Sequence, residues 1–177
     1  MANSDIWLFG YGSLIWRPDF PFRQQSPGTI DGWSRRFWQG SHDHRGVPEA
    51  PGRVVTLVPS VLARCGGMAF QIDTIVAAEI FDQLDYREKN GYERLQIDCM
   101  LATGEVVSCV TYVAAQSNEA WLGDAPLVEI ATQINSAHGP SGANRDYLLR
   151  LAQALRELRI KDDHVMALEA LVLAMDN

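Results

Sequence analysis

Short apolar runs that end almost as soon as they begin constrain this chain more than any other feature. They fall at Trp7 to Phe9, Trp33 to Trp38, Val54 to Val58, Gly67 to Ile72, Leu95 to Leu101 and Val106 to Val113, with Gly, Pro, Asp and Asn between them. Runs of this length bounded by turn residues read as strands. The segments Leu95 to Met100 and Val106 to Tyr112, joined through Thr103-Gly104, are expected to form a hairpin. One helix interrupts the strands, from about Thr74 to Lys89, with Val76, Ile80 and Leu84 on its apolar face and Asn90-Gly91 as its stop. The last third is helical in pattern. Ala125-Pro126 opens a helix that carries Leu127, Ile130, Ala131 and Ile134 and stops at His138-Gly139-Pro140. Two more helices are expected, Asn144 to Leu158 and Asp162 to about Met175. The expected fold class is therefore α+β: a small, strongly twisted or barrel-like sheet with flanking helices, in a single domain covering residues 1–177.

Composition enters mainly by exclusion. The 177 residues, 47% of them hydrophobic, suffice for a real core. A formal net charge of -7 is the wrong sign for gripping nucleic acid, and no Lys/Arg-rich run appears. No apolar stretch reaches the ~20 residues that span a bilayer; the best, Met166 to Met175, contains Glu169. The opening residues MANSDIW show no basic region followed by a hydrophobic one. A cytoplasmic, soluble monomer without nucleic-acid or membrane partners is expected. Cys65, Cys99 and Cys109 are odd in number and widely spaced, which suits buried, reduced thiols.

Several stretches could carry chemistry. Phe9-Gly10-Tyr11-Gly12-Ser13-Leu14 breaks an apolar run with the residues least useful to a buried strand. Glycines there would free the backbone angles and let a ligand reach main-chain N–H groups, although from this motif alone a tight turn or bulge is the simpler explanation. A dinucleotide fingerprint would need glycine at Ile15, and no P-loop lysine follows, so a small carboxylate is the expected guest. Gly40 to Gly46 holds His42, Asp43, His44 and Arg45. His-x-His lacks a third metal ligand at a supporting spacing, which leaves a structural loop or an Arg45 contact to a substrate carboxylate. Arg53 is a second such candidate, weighed against a structural pairing. A Cys/His nucleophile from Cys65 or Cys99 with His42 or His138 has no local motif behind it. Glu88 sits where the helix macrodipole disfavours an acid. Pairing with Arg87 or Lys89 would explain it without function, and Glu79 and Glu93 are competing carboxylates.

Taken together, FGYGSLIW (Phe9 to Trp16), RRFWQGSHDHRGVPEAPGRVVTLV (Arg35 to Val58), LDYREKNGY (Leu84 to Tyr92), WLGDAPLVEIATQI (Trp121 to Ile134) and GPSGANRDYLLRLA (Gly139 to Ala152) resemble the ChaC-type γ-glutamylcyclotransferases that act on glutathione. The resemblance implies an α+β fold with a small β-barrel. It also implies conversion of glutathione to 5-oxoproline and cysteinylglycine, with no cofactor and no metal. It makes Phe9, Gly10, Tyr11, Gly12, Ser13 and Leu14 the substrate-binding loop, Glu88 the catalytic glutamate and Tyr147 a substrate contact. Arg45 becomes a candidate for the glycyl carboxylate. Cys65 to Ala69 departs from the family, where an aromatic is common. Other γ-glutamyl substrates, or a silent metabolite-binding module, are the alternatives.

In such a reaction one carboxylate can act as base and then as acid. An ordinary glutamate near pKa ~4.3 facing an α-amine near ~8 leaves a mismatch of roughly 5 kcal/mol. An apolar pocket would narrow that gap. Glu88 is therefore expected to be partly buried beside Tyr11-Gly12-Ser13, with Arg87 and Lys89 pointing elsewhere.

Overall fold

The computed structural model describes residues 5–177, so residues 1–4, part of the N-terminal stretch discussed above, lie outside the described residues. In chain order the elements are β1 (Ile6–Gly10), a 3-10 turn (Ser13–Ile15), β2 (Gln24–Ser41), β3 (Gly52–Ile72), α1 (Thr74–Arg87), β4 (Tyr92–Leu101), β5 (Val106–Ala114), α2 (Leu127–Ser136), β6 (His138–Gly139), β7 (Gly142–Ala143), α3 (Asn144–Glu157) and α4 (Asp163–Ala174). Two compact units result. One holds the residues up to Ser34 with Pro59–Ala115, the other Arg35–Val58 with Gln116–Asn177.

The first unit is built on a closed barrel in the order β1-β3-β2-β4-β5. β1 runs antiparallel to β3, from Ile6↔Ile72 to Gly10↔Met68, and parallel to β5 at Trp7↔Cys109 and Leu8↔Val110. Trp7, Leu8 and Phe9 are all buried, so the strand reads as a continuous apolar run rather than an alternating one. The expected hairpin is β4 with β5, paired from Tyr92↔Ala114 to Met100↔Val106. Its loop closes through Leu101 N–H to Glu105 O at 2.8 Å and Gly104 N–H to Leu101 O at 2.9 Å.

The run Trp33 to Trp38 is not a strand of its own but part of β2, and Val54 to Val58 and Gly67 to Ile72 are two ends of β3. Between those ends Val61 and Leu62 are 94% and 98% exposed. A strand is held by its backbone ladder, which runs on through residues that bury nothing, so apolar runs alone undercount its length.

Asp73 caps α1 by accepting the Ile75 N–H at 2.9 Å. The helix stops at Arg87, two residues before the expected Lys89. Glu88 is its C-cap and Gly91 follows at φ +98, a left-handed angle glycine adopts freely. Cys65, Cys99 and Cys109 are buried thiols rather than disulfides. A hydrogen bond donated to its neighbour Cys99, and then burial, push the Cys109 thiol pKa up.

In the second unit α2, α3 and α4 pack on one another. Ile130, Ile134, Leu148, Leu151, Leu155, Val165, Leu168 and Val172 form a core with no exposed surface. Pro126 is the residue before α2 rather than its first, and Asp162 caps α4 through Val165 N–H at 3.0 Å. The expected stop at His138-Gly139-Pro140 is a miniature hairpin, with β6 paired to β7 at His138↔Ala143 and Gly139↔Gly142. Among the described residues no helix is long and apolar enough to cross a membrane.

Candidate active site

The glycine loop leaves the end of β1. A Cβ on Gly10 would lie 2.8 Å from the Leu14 Cβ; one on Gly67, across the sheet, would lie 2.3 Å from Gly10 O and 2.8 Å from the Phe9 ring. Close approach, not a left-handed angle, is what requires glycine at both positions, since neither Gly10 nor Gly67 has a positive φ. The departure at Cys65 to Ala69 thus makes room for Phe9. A Gly-Gly pair inside a strand was the sequence signal for it.

Beyond Gly12 the chain winds into the 3-10 turn, with Ile15 N–H to Gly12 O at 3.0 Å and Arg17 N–H to Ser13 O at 2.8 Å. Phe9, Tyr11 and Leu14 are buried anchors. The Tyr11 hydroxyl donates to Tyr112 O at 2.5 Å, and Thr111 Oγ1 donates to Phe9 O at 2.9 Å. With these side chains turned into the core, the loop offers its backbone and the Ser13 hydroxyl.

Glu88 stands at the end of α1, its N–H on Leu84 O at 2.8 Å and its carbonyl accepting Tyr92 N–H at 3.3 Å. Its side chain is 21% exposed, whereas the competing Glu79 and Glu93 are exposed. Arg87 does not point elsewhere. Its guanidinium donates to Ser13 Oγ at 2.7 Å, its Nε lies 3.9 Å from Glu88 Oε1, and Asp19 Oδ2 lies 3.9 Å from its other nitrogen. The reason is helical spacing: Arg87 and Glu88 are three and four residues past buried Leu84, so all three share a face. The same rule applied to Val76, Ile80 and Leu84 would have found Arg87. Lys89 does lie away, its ammonium 4.1 Å from the centre of the Tyr86 ring.

A second network steadies the helix end. Arg94 binds Asp85 through two hydrogen bonds, at 2.7 and 2.5 Å, and the Tyr112 hydroxyl donates to Asp85 at 2.6 Å. The Arg94 hydrogen bonds hold the Asp85 carboxyl below the usual range. Burial first, then Asp85, raises the Tyr112 phenol. Tyr112 thus grips the loop with its carbonyl and the helix with its hydroxyl. Nothing in its local sequence announced this.

The second unit brings Arg45 and Tyr147 together. Arg45 is buried, donates to Ala143 O at 3.2 Å, and has its guanidinium 5.8 Å from the Tyr147 ring centre. Tyr147 packs edge-on against Phe37 at 5.9 Å. Arg53 takes the structural alternative: it donates to Gln133 Oε1 at 2.7 Å and to Phe37 O and Gly123 O at 2.9 Å each. Its backbone is held on both sides by the Asn144 side chain, at 2.7 and 2.8 Å. His44 pairs with Ser141 Oγ at 3.2 Å. Among the described residues no three His, Cys, Asp or Glu side chains gather to hold a metal.

A family model described as ChaC-like protein matches residues 6–175. Gamma-glutamylcyclotransferase 2-3 of Arabidopsis thaliana is 44% identical over 171 residues, covering 90% of this chain and 84% of the relative. Glutathione-specific gamma-glutamylcyclotransferase 1 of Danio rerio is 40% identical over 179 residues, covering 98% and 91%. A crystal structure of the yeast γ-glutamyl cyclotransferase specific to glutathione superposes with a TM-score of 0.90 at 32% identity, covering 97% of each chain.

Proposed function

This chain belongs to the ChaC-like protein family, and on that footing we propose that it is a glutathione-specific γ-glutamylcyclotransferase that releases 5-oxoproline and cysteinylglycine. The substrate carries both reactants. Its free α-amine attacks its own γ-carbonyl, the five-membered ring closes, and the amide bond to cysteine breaks. No nucleophile, redox group or metal is required by that chemistry. Folding the substrate so that amine and carbonyl meet can contribute roughly 7 to 11 kcal/mol.

Glu88 takes the proton from the attacking amine and returns it to the departing cysteinyl nitrogen. The backbone of Gly10 to Leu14, with Phe9 as its anchor, binds the glutamyl portion and the charge that develops on the γ-carbonyl oxygen. Arg45 and Tyr147 contact the substrate, Arg45 as partner for a carboxylate. The family match runs through both units, which supports reading them as one catalytic domain. The proposed enzyme is a cytoplasmic monomer whose partner is its small-molecule substrate.

The observation that carries the assignment of roles is the half-buried Glu88 carboxylate, linked through one guanidinium to Ser13 of the loop. The test is to incubate the protein and its Glu88→Gln variant with glutathione, oxidised glutathione and a γ-glutamyl amino acid, and to quantify 5-oxoproline. Release selective for glutathione and lost in the variant is expected. Release from the other substrates would move the specificity, and none from any would leave a binding module.

A further inference from the structure

Arg87 is held unlike a structural arginine. Arg94, nearby in the same unit, shows the structural pattern: two short bonds to one carboxylate, Asp85. Arg87 makes its one hydrogen bond among the described residues to a neutral hydroxyl, Ser13 Oγ, at 2.7 Å. The two carboxylates near it, Glu88 and Asp19, both stand at 3.9 Å, close enough for charge attraction but beyond hydrogen-bond distance. Asp19 is 55% exposed and so screened by water, which leaves it a weak hold.

The Ser13 contact has a consequence for the hydroxyl. A serine oxygen accepts through lone pairs and donates one proton, while a guanidinium only donates. With Arg87 on its acceptor side, Ser13 keeps its proton as a donor. Meanwhile the Arg87 Nε beside Glu88 Oε1 limits where that carboxylate can swing.

We propose that Arg87 is a positioning residue of this site, bridging Ser13 of the glycine loop to Glu88 so that the Ser13 hydroxyl donates to the substrate while the Glu88 carboxylate is held for proton transfer. This rests on the proposed cyclotransferase activity and assigns Arg87 no contact with the reacting atoms.

The test is a double-mutant cycle on the full chain: wild type, Ser13→Ala, Arg87→Met and the double variant, with Arg87→Lys alongside. kcat and KM for glutathione are read from 5-oxoproline release, and Tm is recorded for each protein. Ser13→Ala is expected to lower kcat/KM about tenfold, mostly through KM; Arg87→Met reproduces that rise in KM and also lowers kcat about 100-fold. The double variant should be no worse than Arg87→Met, because the residues act as a unit. Arg87→Lys should recover part of the KM effect but little of kcat, since a point-like ammonium reaches one partner and cannot span two. Losses that multiply in the double variant would overturn the proposal, as would an Arg87→Met protein whose activity falls only with its folded fraction. If Arg87→Met does not fold, the cycle is run with Arg87→Lys and judged by the same non-additivity. A wild type that releases no 5-oxoproline overturns the functional proposal itself and this one with it, a failure visible before any variant is compared.

Discussion

Arg53 in the second unit and Arg87 in the first are both sheltered guanidiniums at the end of an element, yet they are held in opposite ways. Arg53 donates to two backbone carbonyls and a side-chain amide, and Asn144 clamps its backbone. Arg87 donates to a hydroxyl and stands off from two carboxylates. Remove the first and sheltered carbonyls lose their donor; remove the second and no buried group is stranded. The identity of the acceptor, rather than burial, therefore separates a cation that holds the fold from one that arranges a site.

The largest effect that sharpens this contrast is chemical. Glu88→Gln should lower kcat about 1,000-fold, the range of a lost acid–base group, with the unfolding free energy changed by less than about 0.5 kcal/mol. A stability loss in proportion to the lost activity would mean that Glu88 belongs with Arg53 as scaffold. The converse is Arg53→Met, expected to cost about 3 kcal/mol in urea unfolding because several acceptors go unpaired at once, with KM for glutathione unchanged in the folded fraction. A raised KM without loss of stability would break the comparison from the other side.

A third prediction uses pH within the second unit. His164 accepts the Phe37 N–H at 3.0 Å, and burial first, then Arg36, lowers its pKa from 6.5 to about 4. Between those values the unfolded chain binds a proton that the folded one refuses. Stability is therefore full above pH 6.5, falls as pH drops towards 4, and stays at that reduced level below it. The loss amounts to at most about 3 kcal/mol. His164→Gln, whose amide can still accept from Phe37, should flatten that slope in the difference between variant and wild-type unfolding curves. The smallest expected effects are those of Glu79→Gln, Glu93→Gln and Lys89→Ala, each within about twofold in kcat/KM and about 0.5 kcal/mol in stability. Any one of them matching Glu88→Gln would move the site.

Much of this was legible beforehand where the signal is local. The β4–β5 hairpin and the three C-terminal helices follow from periodicity and turn chemistry within a few residues. The length of β2 and β3 was not, because ladder hydrogen bonds sustain a strand where side chains give no pattern. Glu88 stood out in sequence as an acid at a helix end, but exposure was needed to separate it from Glu79 and Glu93. Arg87 is where the sequence expectation fails, because adjacency in sequence says nothing of a shared face, whereas spacing from Leu84 puts Arg87 and Glu88 on one.

Sequence by itself determined the fold class and the family, since both are written in contiguous runs: FGYGSLIW, LDYREKNGY and the helical spacing of the last third. Only the tertiary structure decided what each polar residue touches. Ser13 and Arg87 are 74 positions apart and Tyr11 and Tyr112 are 101 apart. No local rule pairs them; closing β1 against β5 brings Tyr112 to the glycine loop, and the Tyr112–Asp85 bond ties the end of α1 to that same strand.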